Sequence, residues 1–320
     1  MKKYIALMLA LMMVISMTAC QSEPASNGKI TIGICQIEPH PALDAATQGF
    51  KDALIAKFGE ENIEFLEQNA AGDSNTLNTI INDFVSKDVD LILANATPVL
   101  QTAAAATTTI PILGTSVTEY GVALDIENFD GLVGGNISGT SDLAPLERQA
   151  DMILEWFPEA KNIGLLYCLA EANSKYQVDV VKAYLEGKGL NVTLYGFSST
   201  SDMAAVTQEA ADASDVIYVP TDNTVANSTG IINEICRAAK VPIIAGEEGI
   251  CSGCGVATLS ISYYDLGFTT GEMAIKILTG EADISTMPIQ YANEPTAKYN
   301  AELCAELGLT PPEGYVPIGE

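Results

Sequence analysis

The chain is poor in basic residues. Its 320 residues include 15 Lys and Arg against 41 Asp and Glu, which gives a formal net charge of −26. Binding a nucleic-acid backbone needs a concentrated positive surface, so this balance argues against a DNA or RNA partner. The simplest interpretation of the acidity is solubility. The 48% of apolar residues is typical of a chain that folds around hydrophobic cores.

Histidine and the common catalytic motifs are almost absent. The one histidine, His40, lies between Pro39 and Pro41, and the chain has no GxSxG, HExxH or Walker A pattern. Because most catalytic triads need a histidine base, the sequence predicts a protein that is not an enzyme and has no catalytic residue, metal ion or cofactor. We interpret His40 as a positioning or binding residue, with a structural turn residue as the alternative.

The N-terminal apolar run is too short to cross a bilayer, which takes about 20 residues. Lys2 and Lys3 precede this run, Ile5–Ile15, and small residues lead from it to Cys20. This order is typical of a secretory signal, here residues 1–19, followed by a polar tether over 20–28. Thr-Ala before Cys20 resembles a bacterial lipobox. The sequence therefore predicts an extracytoplasmic protein attached to the membrane only by a lipid on Cys20; an ordinary signal peptide with an incidental cysteine is the alternative.

Cys251 and Cys254 form a single CxxC pair. Glycines flank this pair, no second CxxC offers zinc ligands, and His40 is distant in sequence. We expect a local disulfide or two free thiols rather than a redox or metal site.

Short β-branched segments alternate with amphipathic segments after the tether. Such alternation predicts an α/β fold of parallel sheets covered on both faces. The cycle runs over 29–117, is interrupted at Glu119–Ser138 by four glycines, and runs again over 143–260. Two doubly wound parallel-sheet lobes, joined by a hinge, account for this order.

Polar residues follow the predicted strands, where open α/β sheets bind their ligands. Candidate ligand-binding residues chosen on this ground include Ser116, Thr118 and Glu247. Thr97, Asn173 and Asp222 lie where helix N-caps are expected, and capping is the alternative role for each. Capping and binding are compatible, because free N–H groups at a helix N-terminus suit an anion such as a carboxylate.

These loops resemble those of the substrate-binding lipoproteins of ABC importers, in the family associated with tryptophan, tyrosine and phenylalanine uptake. The resemblance is carried by Glu38-Pro39-His40-Pro41, Ala96-Thr97-Pro98, Gly135–Asp142, Glu171-Ala172-Asn173-Ser174, Tyr218–Asn223, Pro242–Glu247 and Gly271–Ala274. It implies a type I periplasmic-binding-protein-like fold with an interlobe cleft, a monomer, a small amino acid as ligand, and ABC permease subunits as partners. It also implies lobe 1 over 29–140 plus about 264–283, and lobe 2 over 141–263 plus about 284–320. The contacts it implies are Gln36, Thr97, Ser141, Asp142, Asn173, Ser174, Asp222 and Asn223.

An amino-acid ligand needs donors for its carboxylate and acceptors for its ammonium group. We expect Thr97, Asn173 and Ser174 to meet the carboxylate, and Asp142 and Asp222 to meet the ammonium. Two positions depart from the family pattern. Glu119-Tyr120 replaces Asp-Pro, and Ser262 replaces an Asp before Tyr263.

Three other functions remain open at this stage. The same fold could serve a sensor that signals to a membrane receptor, or a transport protein for a sugar, purine or small peptide. A secreted enzyme is the third alternative, although the chain lacks a nucleophile–base pair.

Overall fold

The computed structural model describes residues 28–319. The predicted signal peptide, Cys20 and all of the tether except Gly28 lie outside these residues. None of the helices that the structure describes is long and apolar enough to cross a membrane.

The first lobe is built on a six-stranded sheet with the order β11-β5-β4-β3-β1-β2. All of its pairings are parallel. Its elements are β1 (Ile30–Gln36), α1 (Pro41–Phe58), β2 (Ile63–Asn69), α2 (Ser74–Ser86), β3 (Leu91–Asn95), α3 (Thr97–Ala106), β4 (Ile112–Val117), α4 (Tyr120–Ala123), β5 (Ile137–Ser141), α11 (Tyr263–Leu278) and β11 (Gln290–Tyr291). Short 3-10 turns lie at Glu60–Asn62 and Ile284–Thr286.

The second lobe is built on a seven-stranded sheet with the order β13-β12-β10-β9-β8-β6-β7. Only the β10–β12 pair is antiparallel. Its elements are α5 (Leu146–Trp156), β6 (Asn162–Cys168), α6 (Ala172–Gly187), β7 (Asn191–Phe197), α7 (Thr200–Ala213), β8 (Val216–Val219), α8 (Asn223–Ala226), α9 (Thr229–Ala239), β9 (Ile243–Ala245), α10 (Glu248–Cys254), β10 (Ala257–Ser260), β12 (Thr296–Tyr299), α12 (Ala301–Leu307) and β13 (Val316–Pro317).

The expected α/β fold with two mostly parallel sheets is confirmed. Strands such as β3 and β4 are buried along their whole length, as strands with helices on both faces must be. α2 shows how the helices cover them. Asp73 caps it by accepting from Thr76 N, and Leu77, Ile81 and Phe84 bury one face against the sheet.

β5 lies at the end of the glycine-rich interruption, where the sequence did not indicate a strand. Four of its five residues are small or hydroxylated, so it lacks the β-branched apolar pattern that marks the other strands. Gly139 has φ 147°, and a Cβ there would lie 2.1 Å from the Gly114 carbonyl oxygen. The close approach of β4 and β5 therefore requires glycine at this position.

The return to the second lobe comes later than the expected boundary near residue 284. β11 pairs with β5 in the first sheet, and Met287 and Ile289 are buried in first-lobe cores. Ser138 Oγ also donates to the Met287 carbonyl at 2.8 Å. The chain crosses after Tyr291, because the apolar side chains just before it belong to the first sheet.

α1 and α11 pack side by side with their N-termini at the same end. A Cβ on Gly267 would lie 1.9 Å from the Ala46 carbonyl oxygen, and one on Gly49 would lie 2.1 Å from that of Tyr264. These helices therefore contact each other backbone to backbone, which only glycine permits.

Candidate functional site

The carboxyl ends of the two sheets face each other, and helices of the two lobes meet across the gap. α3 and α4 of the first lobe contact α6 of the second, and α1 contacts α10. The residues expected to bind ligand lie on the loops between these contacts.

Two hydroxyls of the first lobe are buried without a partner. Thr97 opens α3 after Ala96, which has φ 95°, and Ser116 lies at the end of β4 with φ 54°. Neither Thr97 Oγ1 nor Ser116 Oγ has a hydrogen-bond partner among residues 28–319. Positive φ values at non-glycine residues concentrate at functional sites, and here both occur on adjacent strand ends.

Gln36 lies in the cleft, but its side chain forms hydrogen bonds within the first lobe. Its Nε2 donates to Asp44 Oδ1 at 3.0 Å, and its Oε1 accepts from the Thr47 hydroxyl. Gln36 therefore fixes the start of α1 rather than presenting a free polar atom.

Asp142 lies directly after β5, where the chain first crosses between the lobes. Its Oδ2 accepts from the Tyr263 hydroxyl at 3.0 Å, while its Oδ1 has no partner among the described residues. Burial raises the pKa of Asp142, against the lowering effect of hydrogen bonds from Tyr263 and Thr118. The neighbouring Ser141 hydroxyl donates to the Thr118 carbonyl at 2.8 Å, so Ser141 supports this crossover.

Glu171 organises the second-lobe side of the cleft, although it was not among the chosen contacts. Its Oε2 accepts from the side-chain amides of Asn223 and Asn173 at 2.6 and 3.0 Å. Its Oε1 accepts from the Thr224 backbone N–H and hydroxyl. The Asn223 backbone N–H also donates to Oε2, at 3.1 Å. Glu171 lies two positions before the predicted Asn173, but nothing in its sequence context showed that it would bind five donors.

Asn173 therefore has a defined polarity. Because its Nδ2 donates to Glu171 and to the Thr221 carbonyl, its Oδ1 is the atom left without a partner. Asn173 thus offers an acceptor to a ligand, whereas we expected it to donate to a carboxylate.

Asp222 acts as a structural bridge in the second lobe. It is the N-cap of α8, with Oδ1 accepting from Val225 N at 2.9 Å and Oδ2 accepting from Cys168 N at 2.7 Å. Burial, together with the nearby Glu171 charge, raises its pKa to about 8. Ser174 also bonds to it. Both Asp222 oxygens already have backbone partners, so the capping alternative describes its contacts.

Glu247 is likewise the N-cap of its helix, α10, and accepts from the Gly249 and Ile250 N–H groups. Burial raises its pKa to about 7 despite these bonds. Asn223 uses its Nδ2 on Glu171 and its Oδ1 on His40.

Of the eleven predicted residues, four present an unpartnered buried polar atom: Thr97, Ser116, Asp142 and Asn173. The others are engaged in contacts that shape the cleft: Gln36, Thr118, Ser141, Ser174, Asp222, Asn223 and Glu247.

The buried Asp, Glu, His, Lys and Arg side chains of the described chain are almost all acidic. They comprise His40 and five carboxylates on the cleft loops: Glu38, Asp142, Glu171, Asp222 and Glu247. No lysine or arginine of residues 28–319 is buried with them. A buried carboxylate needs a positive or hydrogen-bonding partner. Among these acids, Asp142 Oδ1 has no partner in the described chain, so this part of the cleft favours a ligand group that carries positive charge.

The two departures from the family pattern both fall on helix caps. Glu119 caps α4 by accepting from Val122 N, and the exposed Ser262 caps α11 by accepting from Asp265 N. Asp and Ser serve equally well as N-caps. Ser262 therefore does the local work that an Asp would do at that position.

Cys251 and Cys254 lie in α10, and both thiols are buried and free. Burial raises the pKa of each above the ordinary thiol range. Across the described part of the chain, no group of three or more His, Cys, Asp or Glu side chains is arranged to hold a metal ion.

Comparison with known proteins identifies the family. The model for ABC transporter substrate-binding proteins matches residues 31–316. This chain belongs to that family. A tyrosine-binding protein of Clostridioides difficile is 35% identical over 325 residues, covering 96% of this chain and 93% of that protein.

Two solved structures that resemble this chain differ in whether a ligand is bound. An L-Trp complex from Streptococcus pneumoniae is 31% identical, with a TM-score of 0.85 over 90% of this chain and 100% of that one. A ligand-free, open structure from Clostridium difficile, described as having adhesive properties, is 37% identical, with a TM-score of 0.68 over 90% and 98%. The overall shape of this chain is thus closer to the L-Trp complex, although its sequence is closer to the open protein.

Proposed function

We propose that this protein binds one free aromatic L-amino acid between its lobes and delivers it to the permease of an ABC importer. The observation that carries the proposal is that the four unpartnered polar atoms of the predicted residues comprise two hydroxyl donors and two acceptors. Hydroxyls of the first lobe, on Thr97 and Ser116, can donate to a carboxylate. The ionised Asp142 carboxylate and Asn173 Oδ1 can only accept.

This split matches the head group of an α-amino acid. The ligand carboxylate would lie against Thr97 and Ser116 at the start of α3, where the helix dipole favours negative charge. Its ammonium group would lie between Asp142 and Asn173, and would supply the positive charge that the buried acids lack. A few charge-assisted hydrogen bonds and burial of the side chain are sufficient for micromolar affinity, about −8 kcal/mol.

The aromatic side chain is proposed from the relatives. One relative is named a tyrosine-binding protein, and one solved neighbour contains L-Trp. Attachment through a lipid on Cys20, at the outer face of the cell membrane, remains part of the proposal and rests on the N-terminal pattern.

Titration calorimetry with paired ligand analogues tests the proposal. We expect L-tyrosine or L-tryptophan to bind, and expect at least a hundredfold weaker binding of tyramine, which lacks the carboxylate, and of 3-(4-hydroxyphenyl)propionate, which lacks the ammonium. L-Leucine and the D-enantiomers report on the side chain and on chirality. Equal binding of an amino acid and its deaminated analogue would contradict the assignment of Asp142 and Asn173.

A further inference from the structure

One hydrogen bond crosses the cleft without involving any of the four unpartnered atoms. His40 Nε2 lies 3.3 Å from Asn223 Oδ1. His40 immediately precedes α1 in the first lobe, and Asn223 opens α8 in the second. Both side chains are buried in this arrangement, at 7% and 9% exposure.

Glu171 fixes the direction of this bond. A carboxylate can only accept, so the Asn223 amide must point its Nδ2 to Glu171, at 2.6 Å, and its Oδ1 to His40. His40 must then carry its proton on Nε2 and donate it. The tautomer is thus assigned by the network around Glu171.

Each polar atom of the Asn223 side chain thus has one partner, Glu171 within its own lobe and His40 in the other lobe. A second pair of polar groups, Glu38 of the first lobe and Asn227 of the second, lies close enough for Asn227 to offset part of the rise that burial causes in the Glu38 pKa. Separation of the lobes would break both pairs and return their polar groups to water. The His40–Asn223 bond therefore requires the two lobes to lie as close together as they do here.

We propose that His40 and Asn223, held in register by Glu171, form a latch that sets the open–closed equilibrium of the lobes and so tunes affinity without contacting the ligand. The latch rests on the proposed function, because it acts on closure around that ligand. His40 and Glu171 are positioning residues in this scheme. A ligand's apparent affinity scales with the population of the closed, binding-competent state.

The latch makes a quantitative prediction for binding. Loss of one ordinary hydrogen bond shifts an equilibrium by about 3- to 10-fold. His40→Ala should therefore weaken the binding of L-tyrosine and of L-tryptophan by the same factor, because both ligands dissociate faster. His40→Gln, whose side-chain amide can still donate, should recover part of the loss. Asn223→Ala should add little to His40→Ala in the double variant, because either change removes the same bond.

A distance measurement between the lobes separates the latch from the ligand. Spin labels on Asn75→Cys and Ala205→Cys report on the two lobes, and the six native cysteines among the described residues are buried and so protected from labelling. We expect His40→Ala to reduce the short-distance population both without ligand and at a fixed subsaturating L-tyrosine concentration.

Two results would overturn the latch. One is a distance distribution in His40→Ala that is identical to that of the labelled parent, with and without L-tyrosine. The other is a loss of affinity for one amino acid and not the other, which would make His40 a ligand contact. If L-tyrosine and L-tryptophan both fail to bind the unsubstituted protein, the proposed function fails, and the ligand-free comparison alone decides the latch.

Discussion

Replacing Asp142 with Asn separates ligand recognition from folding stability. The two side chains have the same shape, so Asp142→Asn removes a charge and little else. The Asn oxygen can still accept from the Tyr263 hydroxyl, which Asp142 Oδ2 does at 3.0 Å. The amide nitrogen would then replace the unpartnered Oδ1 and point a donor at the ligand ammonium.

The expected effect on binding is large and the effect on stability is small or favourable. Removing one partner of a desolvated charge pair costs about 2–5 kcal/mol, so binding should weaken by roughly 30-fold to several thousandfold. In the ligand-free protein, Asp142 is a buried carboxylate with one unpaired oxygen. Neutralising it removes a desolvation penalty, so the melting temperature should stay the same or rise.

Asp222→Asn is the matched control, since it makes the same change at a second buried acid. Both Asp222 oxygens accept backbone N–H groups, from Cys168 and Val225. An amide nitrogen at either place would face a backbone N–H donor. The main effect of Asp222→Asn should therefore be a lower melting temperature, with a smaller effect on binding. Glu60→Ala, at an exposed position, should change neither quantity. Calorimetric titration and thermal unfolding of all three variants decide the matter. The reasoning is refuted if Asp142→Asn binds the ligand within threefold of the parent protein.

Three further expectations concern protons and packing. Because an approaching ammonium group should lower the raised pKa of Asp142, binding should release protons over the pH range in which Asp142 titrates. Titrations in buffers of different ionisation enthalpy would measure this, and a buffer-independent heat over that range would contradict it. Burial raises the pKa of Glu38, Asp142, Asp222 and Glu247 above their ordinary values, so the ligand-free protein should unfold at a lower temperature at pH 8 than at pH 5. Because the pKa of each of these four acids is higher in the folded protein, the folded protein loses stability as pH rises and the acids ionise. This loss outweighs the opposite effect of His40, whose burial lowers its pKa. An equal or higher melting temperature at pH 8 would count against the assignment. Gly267→Ala should cost about 1–3 kcal/mol in the free energy of unfolding, because its Cβ would collide with the Ala46 carbonyl, whereas Gly230→Ala, with open space around it, should be tolerated in the same denaturant titration.

The sequence was sufficient to predict the fold wherever apolar periodicity was strong. Fully buried parallel strands such as β3 are near-continuous apolar runs, and helices such as α2 show a clear three-to-four-residue spacing. β5 was not predicted from the sequence, because its Gly139 and its hydroxylated residues allow a close approach to β4 and do not form an apolar pattern. The crossover after Tyr291 was not predicted, because the two-residue strand β11 is too short to show any periodicity in the sequence.

The sequence predicted which residues lie in the cleft better than it predicted their hydrogen-bonding roles. Strand ends place polar residues in the cleft for topological reasons, so Thr97, Ser116, Asp142 and Asn173 could be chosen from sequence order. The role of Asn173 could not, because its amide orientation depends on Glu171 and on the Thr221 carbonyl. The commitment of Asp222 to backbone donors depends in the same way on β6, which lies more than fifty residues away.

The backbone-to-backbone packing of α1 and α11 has a mechanical consequence. His40 sits at the N-terminus of α1 and Tyr263 at the N-terminus of α11, and these ends lie side by side. Since no side chains separate the two helices at Gly49 and Gly267, neither can slide or tilt against the other. The pair should therefore move as one rigid unit that carries both His40 and Tyr263. A displacement of Tyr263, which bonds to Asp142 at the first crossover, would therefore also displace His40 and its bond to Asn223 across the cleft.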